Sequence, residues 1–126
     1  MIPPYVDEQW LADHPQAVLA DVRWYADGRS GRQAYFAGHL PGAVFVPLET
    51  VLADTPSAEA GRHPMPEPEV FAEGLRSLGI SDDDTVVAYD DDANANAARL
   101  VWMLRVTGRD AALLDGGLTG WSGPLT

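Results

Sequence analysis

The run Thr85-Val86-Val87-Ala88-Tyr89 is apolar on both faces and constrains the fold more than any other segment. A strand with one wet face alternates polar and apolar side chains. A strand without one reads as a continuous apolar run, which marks the centre of a parallel sheet covered by helices on both sides. Parallel neighbours need long crossover connections, usually helical. Both flanks supply them. Pro68 at a first helical turn, an apolar stripe of Val70, Phe71, Leu75 and Leu78, and a stop at Gly79 predict a helix before the strand. Asn96 to Thr107 predicts a second helix after it, with Leu100, Trp102, Met103, Leu104 and Val106 toward the core. Ala111 to Leu114 then reads as a final buried strand.

The first half follows the same alternation less regularly. Asp7 is placed to cap a short helix through Asp13, and residues 1–17 form this helix and its lead-in. Val18 to Val22 reads as a buried strand, Arg32 to Ala37 as a helical turn, and Ala43 to Pro47 as a brief strand. Gly38-His39-Leu40-Pro41-Gly42 between them is a turn, because Pro41 disfavours helix at Leu40 and Gly42 tolerates positive φ. Residues 48–66, with Pro56, Gly61, Pro64 and Pro66, are expected to wrap the surface, with a helical turn near Leu48 to Leu52. The pattern predicts one α/β domain over residues 1–126: three layers, with a central parallel sheet of four or five strands. Residues 122–126 read as the entrance to a linker.

Composition removes several functions. The 126 residues carry 19 acidic and eight basic side chains, a net charge of -11. That field repels phosphate backbones and anionic lipid, so neither nucleic acid nor a membrane surface is an expected partner. No apolar run reaches the length of a membrane span, and the first residues lack a signal-peptide pattern, so the expected location is cytoplasmic. With no cysteine the chain forms no disulfide, thiolate–metal site or persulfide, and no histidine–carboxylate cluster has zinc spacing. Neither a metal nor a cofactor is expected.

Between the central strand and its helix, where α/β folds place their chemistry, lies Asp90-Asp91-Asp92-Ala93-Asn94-Ala95. Acidic residues here offset the helix dipole, and Asn94 or Asn96 is expected to cap the helix. A calcium loop would use Asp90, Asp92, Asn94 and Asn96, but Ala95 and Val101 stand where glycine and a bidentate glutamate are needed. Asp90 and Asp92 also fit the Asp-x-Asp of a metal-dependent phosphatase, although the chain has no lysine to steady a phosphate. His39 is expected to tie its own turn by hydrogen bonds. His14 and His63, each beside a proline, are expected at the surface. Arg23, Arg29 and Arg32 either pair with carboxylates or steer an anion. Trp102 and Met103 are expected in the core.

Tyr35-Phe36-Ala37-Gly38-His39-Leu40-Pro41-Gly42-Ala43-Val44-Phe45-Val46 resembles the amino-terminal signature of the rhodanese family of sulfurtransferases. Leu114-Asp115-Gly116-Gly117-Leu118 with Trp121 is similar to its carboxy-terminal turn, and Asp21-Val22-Arg23 and Leu78-Gly79-Ile80 are similar to other family segments. Tyr89-Asp90 followed by Ala98 to Arg105 is similar to the first domain of tandem thiosulfate or 3-mercaptopyruvate sulfurtransferases. Ser30 departs from the acidic residue that several mercaptopyruvate-type relatives carry there. The resemblance implies a catalytically inactive domain in which Asp90 occupies the position of the family's catalytic cysteine. A second rhodanese domain in the same polypeptide would carry the cysteine, with His39 and Arg29 as interface or supporting residues. Two other readings stand beside it: a stand-alone inactive module that binds a protein or an anion, and the phosphatase.

Overall fold

The protein was analysed as a computed structural model that describes residues 2–53 and 65–126; Pro56, Gly61, His63 and Pro64 lie outside the described residues. In chain order the elements are β1 (Tyr5–Val6), α1 (Glu8–Asp13), β2 (Val18–Asp21), α2 (Gly31–Ala37), β3 (Val44–Phe45), α3 (Leu48–Val51), α4 (Pro68–Ser77), β4 (Val86–Tyr89), α5 (Ala97–Val106) and β5 (Ala111–Leu114). The strands form one parallel sheet in the order β1-β5-β4-β2-β3.

β4 sits at its centre with all four residues buried, as its two-sided apolar run requires. Val86 and Ala88 point into one core with Leu75, Leu100 and Leu104 from α4 and α5. Val87 and Tyr89 point into a second core with Leu40, Trp10 and Tyr35. The period-two alternation of a strand thus divides the interior into two cores and gives the three-layer α/β/α architecture.

Local signals act largely as the sequence dictates. Asp7 caps α1 through a 2.8 Å bond from the Trp10 N–H, and Pro68 opens α4. β1 is a strand the sequence reading missed. It is two residues long and preceded by prolines, and only its register against Leu113 and Leu114 of β5 defines it.

Trp102 and Val106 correct the sequence reading, being 57% and 62% exposed. The buried face of α5 is filled by Ala97, Leu100, Val101, Met103 and Leu104, and helical geometry turns 102 and 106 away from it. Val70 is likewise exposed, leaving Phe71 and Leu75 as the buried anchors of α4. Residues 122–126, largely exposed, make hydrogen bonds to the body of the domain. The Ser122 Oγ and N–H donate to Glu8, and Thr126 exchanges backbone hydrogen bonds of 2.8 and 3.2 Å with His39.

Candidate functional site

In this strand order the connection after β2 leads outward to β3 through α2, while that after β4 leads the opposite way to β5 through α5. The loops beyond β2 and β4 therefore diverge, opening the crevice in which open α/β sheets hold ligands. Hydrogen bonds between described residues join its walls. The Tyr25 hydroxyl donates to Asp91 Oδ2 at 2.6 Å, and the Asn96 amide donates to the Trp24 carbonyl at 3.1 Å.

On the β4 side the chain curls around one carboxylate. Asp90 is 1% exposed. Its Oδ1 accepts the N–H groups of Asp92 and Asn94 at 2.8 and 2.7 Å, and its Oδ2 accepts those of Asn96 and Ala97, both at 2.8 Å. Positive φ at Ala93 (54°) and Asn94 (62°) turns the loop inward so that these donors converge. Asn94 locks the curl: its Oδ1 accepts the Asp90 N–H and its amide donates to the Leu114 carbonyl. Gly117 closes the floor. A Cβ there would lie 2.8 Å from the Asp90 carbonyl oxygen, and its φ of 56° disfavours side chains.

The expected asparagine cap is therefore replaced. Neither Asn94 nor Asn96 caps α5 with its side chain; Asp90, six and seven residues upstream, accepts its first N–H groups. Asp91 and Asp92 are exposed at the loop's mouth, and Ala93 and Ala95 are exposed as well. With both oxygens of Asp90 occupied and both asparagine side chains engaged, the loop offers neither a phosphatase nucleophile nor a calcium shell. Among the described residues no group of three or more histidine and acidic side chains is arranged to hold a metal.

Beneath the crevice lies a polar network that the sequence did not announce. Asp21, fully buried, accepts from the Arg23 guanidinium at 2.8 Å and from the Tyr89 hydroxyl at 2.8 Å. Arg23 donates onward to the Gly38 carbonyl, and the Leu40 N–H donates to the Tyr89 oxygen. Burial opposes the charge on Arg23, but the hydrogen bond and attraction of Asp21 outweigh it and raise its pKa. Burial, then the charge of Asp21, pushes the Tyr89 hydroxyl well above its ordinary value of 10.0. A tyrosine that holds its proton in the fold but loses it on unfolding stabilises the fold fully below about pH 10. That contribution is lost as pH rises toward the folded value, at up to about 1.4 kcal/mol per pH unit. Unfolding free energy measured in urea is expected to fall between about pH 9 and pH 11, with a shallower fall in Tyr89→Phe. Tyr25 and Tyr35, also raised by burial first, account for the remainder.

His39 ties its turn as expected. Its Nδ1 lies 2.8 Å from the Tyr35 carbonyl, and its ring stacks on Tyr35 at 3.9 Å. His14 is half-buried, stacked on Trp10, with Nδ1 at 2.7 Å from the Trp10 carbonyl. Arg29 is exposed, with its guanidinium 4.0 Å above the Tyr25 ring and Nε on Asp27 at 2.8 Å.

The fold is that of a rhodanese-like domain, and the chain belongs to that family: the family model matches residues 7–124. The chain is 46% identical to the Mycobacterium tuberculosis protein SseB over 87% of its length and 39% of that protein's. It is 37% identical to the Escherichia coli 3-mercaptopyruvate sulfurtransferase, covering 93% of this chain and 43% of the enzyme. The crystal structure of SseA from Escherichia coli superposes with a TM-score of 0.83 at 36% identity, over 99% of this chain and 52% of that one. The homology falls on the N-terminal domains of such sulfurtransferases, and the chain spans about two fifths of the curated relatives' length.

Proposed function

We propose that this domain is the non-catalytic N-terminal half of a thiosulfate or 3-mercaptopyruvate sulfurtransferase, supporting sulfur transfer by a cysteine in a second domain of the same polypeptide. Asp90 carries this reading. A rhodanese nucleophile is a thiolate seated in a ring of inward N–H groups at a helix N-terminus, where its pKa falls. It attacks the outer sulfur of thiosulfate or the thiol sulfur of 3-mercaptopyruvate. The donor's bond to that sulfur breaks, sulfite leaving in the first case and the pyruvate enolate, which takes up a proton, in the second, and the persulfide passes its outer sulfur to an acceptor. In this chain the ring is filled by a carboxylate, which forms no persulfide.

The expected role is architectural. The pinned crevice walls, with Arg29 beside them, form one side of a cleft whose other side brings the nucleophile, and His39 supports the domain through its own turn. Two features agree with such a role: the loop is held by its own hydrogen bonds to the Asp90 and Asn94 side chains, and the relatives are more than twice as long as this chain.

The test is direct. The 126-residue chain, given thiosulfate and cyanide, is expected to release no thiocyanate above the blank, and clear turnover overturns the reading. Asp90→Cys is expected to add at most a trace. Asp91 and Asp92 at the loop mouth repel an anionic donor, and no cationic or hydroxyl side chain from residues 91–95 replaces them. Robust activity in that variant would show that the nucleophile alone was missing.

A further inference from the structure

We infer that Arg29 and Arg32 form a binding site for a small oxyanion, beside the Asp90 loop and separate from it. The two side chains line one concave pocket of about 330 Å³, together with Trp24, Tyr25, Phe45 and Glu49. That is the low end of small-molecule pockets and suits a compact ligand.

Each guanidinium is held over an aromatic face, Arg29 at 4.0 Å from the Tyr25 centroid and Arg32 at 5.1 Å from that of Phe45. Stacking of this kind orients the planar fork while leaving its N–H edge outward. Asp27 takes only Nε and the main-chain N–H of Arg29, so both terminal nitrogens of that fork have no partner among the described residues. Arg32 has neither a hydrogen bond nor a carboxylate partner among them. In a chain of net charge -11, an arginine without a carboxylate partner is conspicuous.

The backbone between the two arginines is fixed. Ser30 Oγ accepts the Gln33 N–H at 3.1 Å, and Gly31 is pressed so closely on Arg23 that a Cβ would lie 2.1 Å from its carbonyl oxygen. The backbone positions from which the two forks extend are therefore set before a ligand arrives, which lowers the cost of binding. Among the described residues Glu49 is the one carboxylate lining the pocket, and it is engaged by the Trp24 indole N–H at 2.7 Å. The pocket meets the crevice through Tyr25, whose hydroxyl holds Asp91.

The site needs only these residues. That its ligand is a sulfur oxyanion, the charge type of thiosulfate and sulfite, rests on the sulfurtransferase reading; the carboxylate of a keto acid shares the same chemistry.

The 126-residue chain is titrated with sodium thiosulfate, sodium sulfate and sodium pyruvate at constant ionic strength, following the Trp24 indole N–H resonance. A saturable shift is expected, weakened about fivefold or more in Arg29→Gln and in Arg32→Gln and lost in the double variant. Both arginines are exposed, so an unchanged Tm shows that the variants fold. Glu49→Gln is expected to tighten binding. Preference for thiosulfate and sulfate assigns the sulfur oxyanion, and preference for pyruvate assigns the carboxylate; both outcomes support the site. A shift that never saturates, or saturation unchanged in the double variant, overturns it. Thiocyanate production by this chain would defeat the non-catalytic reading and leave the site standing, whereas a failed titration overturns the site and leaves that reading standing.

Discussion

Asp90→Ala is expected to destabilise the domain by about 3–5 kcal/mol, a fall in Tm of about 12–20 °C, although it removes only one small side chain. The carboxylate accepts four buried or half-buried N–H groups, and alanine leaves all four facing an empty space. An orphaned buried donor costs about 1–3 kcal/mol, and partial hydration of the new space keeps the total below the simple sum. Asp90→Asn is expected to be nearly as damaging despite its shape. Its amide would turn an NH2 toward one pair of donors, leaving donor against donor. Two controls isolate the cause. Asp91→Ala, at an exposed position with one hydrogen bond from Tyr25, is expected to cost less than about 1 kcal/mol. Millimolar acetate or formate is expected to raise the Tm of Asp90→Ala and leave the parent unchanged, because the ring of donors persists and accepts a diffusible carboxylate. An Asp90→Asn protein as stable as the parent would refute this account of the loop.

Gly31→Ala is the second large effect, and its origin is steric. Gly31 opens α2 against the backbone of Arg23, and the added methyl would stand 2.1 Å from the Arg23 carbonyl oxygen. That neighbour is main chain at the exit of β2, and its own side chain is buried on Asp21. It cannot yield without disturbing the buried network, so α2 must lift away instead. A loss of about 3 kcal/mol or more is expected, against the usual gain from placing alanine in a helix. Chemical denaturation measures it. A stable Gly31→Ala variant would show that the start of α2 is not fixed by this contact.

The sheet was legible because burial on both sides leaves a plain mark, and Thr85 to Tyr89 and Ala111 to Leu114 could hardly be anything but inner strands. The turn around His39 was legible through Pro41 and Gly42. β1 was not, because two residues carry no periodicity and a distant strand defines their pairing. Trp102 was misplaced because hydrophobicity alone ignores helical phase; counted from Leu100 and Leu104, position 102 faces outward. In the site, Asp90 was recognisable from its place after the central strand, but the ring of donors was not. That ring depends on left-handed backbone at Ala93 and Asn94, for which neither residue type gives a firm signal. The contacts of Tyr25 with Asp91 and of Asn96 with Trp24 join residues some seventy positions apart, and only the strand order brings them together.

Those two contacts also decide what kind of surface the crevice is. In many α/β proteins the loops beyond neighbouring strands part and close as a ligand comes and goes. Here each loop is fastened to the other, and one is wound around its own carboxylate. The crevice thus resembles an anvil more than a jaw. Any partner that meets it must supply the movement itself, and hydrogen exchange at Asn94, Asn96 and Ala97 is expected to stay slow throughout the encounter.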